Sequence, residues 1–376
     1  MGVIMVNVFP VRTKKDLKKF IMLPWKIYKG DKNWVPPLII DQKEMFNKRK
    51  FPFFEHSDAE FFLAESDGEI VGRIAAIKNN NHLKIYNDGV GFFGFFESVN
   101  DVEVARALFE RAEEWLKSQG LKKSRGPANY SVNEEIGLLV KGFDLPPVIM
   151  MPYNPKYYQD LISSLGYEKV MDLYAYQIVK QSDNVPKLLE EKVKMIKSRA
   201  SFVVRKIDMK KLDEEVEKIK VVYNQAWSEN WGAVPLTDKE IEHFKNNLKL
   251  IVDPDLVFIA ERNGKPVGLS LTIPDFNEVL IKLNGRLLPF GIFKLLYYKK
   301  KIKGVRTLIM GVLKEHRKIG IDTVFYYETF KNGLKKGYEK CEMSWILESN
   351  RLMKYAIENL GVARQYKTYR IFEKQI

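Results

Sequence analysis

The residues best suited to binding an anion lie in segment 312–322, VLKEHRKIGID. A predicted apolar strand runs into this segment, and a predicted helix starts near Asp322. Gly320 lets the backbone turn tightly, because it has no Cβ. Arg317, Lys318 and the free N–H groups of the first helical turn all favour negative charge. The pattern therefore predicts a phosphate-binding junction between a strand and a helix.

The composition is that of a globular protein that favours anionic ligands. The chain has 376 residues, of which 45% are apolar and 29% charged, and its formal net charge is +14. Such a charge suits an anion such as a coenzyme, a nucleic acid or a membrane surface. The single cysteine, Cys341, excludes an internal disulfide framework. No run approaches the ~20 apolar residues of a membrane span, so we expect a cytoplasmic protein.

The elements that must position the loop form two series with the same order. Each series reads strand, helix, helix, hairpin, strand, helix, strand, helix, strand. The hairpin turns are Asp67-Gly68 in the first series and Asn263-Gly264 in the second. This alternation predicts an α/β fold with a mixed sheet in each half. The predicted domains are residues 1–182 and 201–376, joined by a helical connector over residues 183–200.

The loop of the second series resembles the Arg/Gln-x-x-Gly-x-Gly/Ala loop of the GNAT acyltransferase superfamily. Arg317 and Gly320 match the loop, whereas Asp322 stands where that family has Gly or Ala. A carboxylate at Asp322 could cap the helix or repel a pyrophosphate. The resemblance implies two tandem GNAT-like domains, with acetyl-CoA or another acyl-CoA as substrate, an amine of a small molecule or peptide as acceptor, and no metal. The residues that it implies in acyl-CoA binding are Val312, Arg317, Lys318, Ile319, Gly320, Ile321, Asp322 and Asn350.

Two residues are candidates for proton transfer in such a reaction. Glu315 follows the strand beside the predicted acyl-CoA site and could take a proton from an ammonium group. In the family a tyrosine four residues before the Leu-Gly end of the last helix often protonates the CoA thiolate. That place holds Ile357 here, and Tyr355 lies two residues earlier. Without a tyrosine acid, the thiolate could take its proton from solvent, because a thiol has a pKa near ~8.5.

The matching loop of the first series has a different character. It reads Glu97-Ser98-Val99-Asn100-Asp101, with two carboxylates and no glycine. We therefore predict that acyl-CoA binds only the second half. The four histidines and one cysteine show no metal-ligand spacing, so a metal site is not expected.

Segment 287–298, LLPFGIFKLLYY, is an apolar insertion followed by a lysine cluster. Its composition predicts burial, and we expect it to fold over the mouth between the two halves as one wall of the acceptor pocket. A surface anchor on anionic lipid is the competing interpretation, since the segment is too short to span a bilayer.

Three longer strings also resemble a group of bacterial uncharacterised tandem-GNAT proteins. They are GFFGFFES, residues 137–155 and YKTYRIFEK near the end of the sequence. This resemblance implies no particular acceptor. An aminoacyl-tRNA-dependent transferase of the Fem type and a non-catalytic binding module are the alternatives, and nucleic acid is expected only in the first of them.

Overall fold

The structure is a computed structural model that describes residues 6–181 and 184–376. The strands of these residues are β1 Asn7–Pro10, β2 Asp58–Ser66, β3 Glu69–Lys78, β4 Val90–Ser98, β5 Lys123–Gly126, β6 Leu138–Lys141, β7 Glu168–Val179, β8 Val203–Lys206, β9 Val257–Arg262, β10 Lys265–Pro274, β11 Gly304–Val312, β12 Lys340–Leu347 and β13 Ala363–Gln375. The helices are α1 Lys14–Ile27, α2 Ile39–Met45, α3 Asn80–Tyr86, α4 Val102–Ser118, α5 Tyr158–Ser164, α6 Lys187–Arg199, α7 Leu212–Ala226, α8 Asp238–Ile251, α9 Asn277–Leu283, α10 Gly291–Lys299, α11 Ile321–Lys335 and α12 Arg351–Glu358.

The repeated element order and the mixed α/β class are confirmed. The first series runs from β1 to β7 and the second from β8 to β13. Helix α3 and strand β6 are additions to the first series, and α9 and α10 are additions to the second. Pro24 in the first helical segment would favour a break there, but α1 continues through it to Ile27. Phe20, Ile21 and Leu23 are buried beside Pro24, and their packing offsets the ~3 kcal/mol that a proline costs inside a helix.

The chain forms two compact units. Unit 1 comprises Met1–Leu173, Val279–Leu296 and Lys367–Ile376, and unit 2 comprises Tyr174–Glu278 and Tyr297–Tyr366. Each unit takes segments from both predicted halves, so the limits 1–182, 183–200 and 201–376 stay a prediction. Residues 182 and 183, where the predicted connector begins, lie outside the described residues.

Unit 1 has a sheet that begins antiparallel, in the order β1-β2-β3-β4, and continues with β5 parallel to β4. Strand β13 pairs antiparallel with β5, from Phe372 opposite Gly126 to Gln375 opposite Lys123. Every residue of β4 is buried, as expected for a central strand that is apolar on both faces. Helix α4 packs on this sheet through Val104, Leu108 and Ala112.

Unit 2 repeats this arrangement, with β8-β9-β10-β11 antiparallel and β12 parallel to β11. Its helix α11 buries Val324, Phe325 and Tyr326. Helix α6 packs against α11, where the Lys197 ammonium lies 2.8 Å from a carboxylate oxygen of Glu328. Both units therefore place a strand-to-helix junction where two parallel strands meet.

Segment 287–298, which contains helix α10, is not buried as the sequence predicted. Phe290 and Phe293 are 73% and 68% exposed, and Leu288 is 73% exposed. The prediction that segment 287–298 is buried as a pocket wall is therefore wrong. An apolar run shows that a segment tends to be covered, but it does not show what covers it.

Candidate functional site

The strand-to-helix junction of unit 2 depends on the backbone of Gly320. This residue precedes α11 and has a φ of +90°, a conformation that residues with a Cβ rarely adopt. A Cβ at Gly320 would also lie 2.7 Å from Cδ1 of Ile196. Backbone conformation and packing thus both require glycine here.

The N-terminus of α11 keeps its donors unpaired. Gly320 supplies no cap, and Asp322 does not accept a hydrogen bond from the first turn. The backbone N–H groups of residues 318–323 have no acceptor within the part of the chain that the structure describes. Unpaired N–H groups and the helix dipole together favour an anion. Of the two alternatives for Asp322, capping of α11 is not found, and repulsion of a pyrophosphate stays a prediction.

Positive charge at the junction comes from two side chains that are held differently. The Arg317 guanidinium donates from Nε to the carbonyl of Val312 at 3.1 Å and from Nη2 to the carbonyl of Ala226 at 3.4 Å. These bonds fix its plane beside the loop. Lys318 is exposed and forms no ion pair among the described residues, so its ammonium can reach a ligand. Ile319 is 39% exposed, whereas Ile321 is buried against the core of unit 2.

Strands β11 and β12 pair only along their first halves. The last paired residues are Thr307 and Met343, although β11 continues to Val312 and β12 to Leu347. We call this divergence the β11–β12 fork. A fork between parallel strands leaves backbone groups open to a ligand that enters between them.

A buried polar cluster lies at the base of the β11–β12 fork. Arg306 and Glu342 are register partners on the two strands, and they are 0% and 2% exposed. Arg306 Nε donates to Ser344 Oγ at 3.1 Å, and Ser344 Oγ donates to Glu342 Oε1 at 2.5 Å. The Tyr366 hydroxyl donates to Glu342 Oε2. This cluster holds a buried carboxylate in a fixed orientation, as proton transfer requires.

The predicted catalytic residues lie at more exposed positions. Tyr355 is 70% exposed on α12, whereas Ile357 on the same helix is buried. Glu315 is exposed in the turn before the loop. Asn350 caps α12, because its side-chain oxygen accepts from the Met353 N–H at 3.1 Å. The roles of Tyr355, Glu315 and Asn350 in binding or catalysis stay predictions.

Unit 2 also contains a narrow apolar cleft between helices α7 and α8 and the sheet. The cavity volume of the cleft is about 50 Å³. The strand side is formed by Val257, Leu271 and Ile309, and Ile309 lies two residues beyond Thr307 on β11. The helix side is formed by apolar residues and the stems of three lysines, namely Leu212, Val216, Ile219, Lys220, Tyr223, Ile241, Phe244, Lys245, Leu248 and Lys249. We call this space the α7–α8 cleft.

The corresponding junction of unit 1 is closed. Asp101 caps α4, because its carboxylate accepts from the N–H groups of Glu103 at 2.8 Å and Val104 at 3.4 Å. Strand β4 is covered past the end of its pairing with β5, where the Ala128 N–H donates to the Phe93 carbonyl at 2.8 Å. An anion would have to displace the Asp101 carboxylate, and the expectation that acyl-CoA binds only the second half stays a prediction.

Unit 1 has its own buried carboxylate, Glu97, near the end of β4. The hydroxyls of Tyr158 and Tyr28 donate to Glu97 Oε2 at 2.7 and 3.0 Å, and Arg73 lies 3.5 Å from Glu97 Oε1. Burial raises the pKa of Glu97, although the Arg73 charge and the hydroxyl bonds act against the rise. The Tyr158 hydroxyl also accepts from the Ser98 N–H at 2.8 Å, so the tyrosine fills the junction.

Sequence reasoning identified the loop but missed the buried cluster and the α7–α8 cleft. Glu342 and Ser344 alternate with apolar residues in KCEMSW, as in an ordinary half-exposed strand. The signal that could have singled out Glu342 is Arg306 in the neighbouring predicted strand, because opposite charges in two central strands imply a buried pair. Within the described residues, no group of His, Cys, Asp and Glu could hold a metal ion. No described helix combines the length and apolarity that crossing a bilayer requires.

Comparisons with known proteins show both close relatives and a shared fold, although no family model matches the sequence. The chain is 36% identical over 379 residues to "Bacterial ceramide synthase" of Caulobacter vibrioides (strain NA1000 / CB15N), with 99% of this chain and 98% of that protein covered. It is 37% identical over 370 residues to "Protein YghO" of Escherichia coli (strain K12), with 96% and 94% covered.

Among solved structures, a tandem GNAT protein from the clavulanic acid biosynthesis pathway has a TM-score of 0.60 at 12% identity and covers 99% of this chain and 98% of its own. A GCN5-related N-acetyltransferase from Sphaerobacter thermophilus has a TM-score of 0.54 at 13% identity, covering 98% and 95%. The expected tandem GNAT fold is thereby confirmed. The chain belongs to the family that includes the bacterial ceramide synthase of Caulobacter vibrioides and Protein YghO, and it has the tandem GNAT fold.

Proposed function

We propose that this protein is an acyl-CoA-dependent N-acyltransferase that joins a long-chain acyl group to a long-chain amino alcohol. The product would be a ceramide, which is the amide of such an amine. The relative named bacterial ceramide synthase matches over nearly its whole length, and this supports the acceptor class. The tandem GNAT fold supports acyl transfer to an amine.

The α7–α8 cleft is the observation that carries the proposal. Its walls are apolar, and the space between them is about 50 Å³, below the ~300–1,000 Å³ range of ligand pockets, so an acyl chain has to part α7 from α8 as it enters. A space this narrow suits a chain of methylene groups better than a bulky ring. Because its walls are apolar, water inside it gains few hydrogen bonds and an alkyl chain can replace it.

The helices over the cleft fit a space that receives a ligand. Val216, Ile219, Phe244 and Leu248 face the cleft and are only half-buried. Full burial of an exposed side chain of this kind stabilises by roughly 1.5–3 kcal/mol, and these half-buried side chains would gain only part of that from a ligand. An acyl chain between these side chains and Leu271 would complete those contacts.

The reaction assigns a part to each element of unit 2. The N–H groups of residues 318–322 and the Lys318 ammonium hold the pyrophosphate of CoA. The acceptor ammonium loses one proton to a base, and its nitrogen attacks the thioester carbonyl. A C–N bond forms, the C–S bond breaks, and CoA leaves as a thiolate. The nitrogen then loses its second proton to become the neutral amide, and the thiolate takes that proton. We assign the proton acceptor to Glu342, because its buried cluster lies at the base of the β11–β12 fork.

The proposal is tested by incubating the purified protein with palmitoyl-CoA and sphinganine. We expect release of free CoA thiol that depends on both substrates, together with an N-acyl product of matching mass. Acetyl-CoA should be a poor donor, because an acetyl group does not fill the α7–α8 cleft. Release of CoA without amide, or equal rates with acetyl-CoA and palmitoyl-CoA, would contradict the proposal.

The cleft itself is tested by Ile219→Trp, with Val221→Trp as the matched control on the same helix. Ile219 lines the cleft, whereas Val221 is 43% exposed and does not line it. We expect Ile219→Trp to lower kcat/KM for palmitoyl-CoA by about 10- to 100-fold and to shift preference towards shorter acyl chains, since each lost methylene contact changes discrimination by ~1–3 kcal/mol. A shift in preference for the amine chain instead would place the amine in the cleft.

A further inference from the structure

An exposed apolar stripe on α10 and the turn before it has no role in the proposed reaction. It consists of large side chains that are 58–73% exposed, namely Leu288, Phe290, Phe293, Leu296 and Tyr297. Residues 290, 293, 296 and 297 recur at helical spacing, so they lie on one side of α10. We call these five residues the α10 stripe. An apolar group of this kind on a protein surface marks a contact with a partner or a membrane.

Basic residues surround the α10 stripe without acidic neighbours in sequence. Residues 279–303 contain seven basic side chains and no Asp or Glu. Lys299, Lys301 and Lys303 are engaged, by the Leu250 carbonyl at 3.2 Å, the Tyr297 hydroxyl at 2.6 Å and the Glu339 carboxylate at 2.9 Å respectively. The other four form no ion pair among residues 6–181 and 184–376, and they are Lys282, Arg286, Lys294 and Lys300.

The combination of apolar and unpaired basic groups selects the partner. A second copy of this chain would bring the same positive charges together, and like charges repel across such an interface. A bilayer with anionic lipids offers an apolar layer and negative charge in one surface. At ~1.5 Å per residue, the nine residues of α10 are too short to cross a bilayer but long enough to lie in its interface.

We propose that the α10 stripe docks the protein on the surface of a membrane that contains anionic lipids. Phe290, Phe293 and Leu296 enter the boundary between headgroups and acyl chains. Lys294 and Lys300 contact the phosphate groups. This surface is separate in sequence from the loop 317–322 and from the α7–α8 cleft, so docking does not depend on the proposed reaction.

The proposal is tested by flotation of the full chain with vesicles of phosphatidylglycerol and phosphatidylethanolamine, compared with vesicles of phosphatidylcholine alone. We expect the wild type to float with the anionic vesicles and to be released by high salt, because exposed charges are screened. The double variant Phe290→Ser/Phe293→Ser should bind at least about tenfold more weakly. The matched control Leu188→Ser/Leu352→Ser changes two leucines that are 62% and 67% exposed on α6 and α12, and it should float like the wild type.

A second variant separates the charges from the apolar side chains. Lys294→Ala/Lys300→Ala should weaken binding to anionic vesicles and reduce its salt dependence, while Lys331→Ala/Lys335→Ala on α11 should not. Absence of flotation, or equal flotation with phosphatidylcholine, would overturn the proposal. So would a dimer that forms without lipid and is lost in Phe290→Ser/Phe293→Ser, measured by light scattering. None of these measurements uses transferase activity, so the proposed function can fail while docking is confirmed.

Discussion

The two units use the same order of elements but fill the space between the first helix pair and the sheet differently. In unit 1, α1 and α2 cover the sheet through a cluster of aromatic rings. The ring centroids of Phe20 and Phe46 are 5.2 Å apart, those of Phe46 and Phe95 are 4.8 Å apart, and those of Phe95 and Tyr130 are 4.9 Å apart. In unit 2, α7 and α8 leave the α7–α8 cleft in the corresponding place. The same place in the fold is therefore filled by core side chains in one unit and left as a cleft in the other.

The two strand-to-helix junctions also differ in whether the protein's own side chains occupy them. Helix α4 has the Asp101 carboxylate on its first N–H groups, whereas α11 begins at Gly320 and leaves its N–H groups unpaired. An acidic cap stabilises a helix by ~1 kcal/mol, so its absence at α11 costs stability and leaves an anion site. One unit closes its junction with its own side chain, and the other leaves the N–H groups of its junction open.

The largest expected effect concerns the cores of the two helix pairs. Phe46→Ala in unit 1 should lower the free energy of unfolding by about 3–5 kcal/mol, because it opens a cavity in a packed aromatic cluster. Phe244→Ala in unit 2 should cost less than about 1.5 kcal/mol, because its ring already faces the α7–α8 cleft. Urea unfolding followed by circular dichroism measures both. Equal losses would mean that the cleft is packed as tightly as the aromatic core.

The next effect concerns the two junctions. Gly320→Asp would give α11 the acidic cap that α4 has, and its carboxylate would occupy the N–H groups and repel the pyrophosphate. We expect the affinity for CoA, measured by calorimetric titration, to fall at least about 100-fold, since like charges ~4 Å apart cost ~4 kcal/mol near a protein surface. Gly320→Asn is the matched control, because asparagine tolerates a positive φ and has the same size without the charge. Equal losses in both variants would attribute the effect to packing against Ile196 instead.

The third effect concerns the two buried carboxylates. Glu342→Gln should lower kcat by about 100-fold or more, because general base catalysis contributes at least that much. It should also lower the free energy of unfolding, because the buried Arg306 charge loses its partner, so kcat is measured on the folded fraction. Glu97→Gln in unit 1 is the control and should change stability without changing kcat directly. Glu315→Gln and Tyr355→Phe test the candidates from the sequence. A larger loss in Glu315→Gln than in Glu342→Gln would identify Glu315 as the base, and a loss above ~100-fold in Tyr355→Phe would make that tyrosine the acid.

The features that the sequence predicted are those encoded locally. The hairpins at Asp67-Gly68 and Asn263-Gly264 have turn residues at fixed spacing, and the Gly320 turn depends on one residue and its neighbours. The repeated order of such elements then predicted the fold. These signals need no knowledge of which element packs on which.

The features that the sequence did not predict arise from packing between distant segments. The α7–α8 cleft exists because α7 and α8 do not fill the space above Leu271, and the helical pattern of either segment is the same with or without that space. Glu342 acquires its environment from Arg306 and Tyr366, which lie on other strands. The α10 stripe has the composition of a buried segment, and only the structure shows that its aromatic rings are exposed.

Strand β13 determines when unit 1 can finish folding during synthesis. Unit 1 includes Lys367–Ile376, and Arg125 Nε donates to Glu373 Oε2 at 2.7 Å within it. Roughly 190 residues separate Leu173 from Lys367 along the chain. At ~5–20 residues per second, a ribosome needs about 10–40 s to produce them. During that time β5 emerges without its neighbour and exposes a row of unpaired N–H and C=O groups, so the nascent chain has to be protected from pairing with other strands before unit 1 can close.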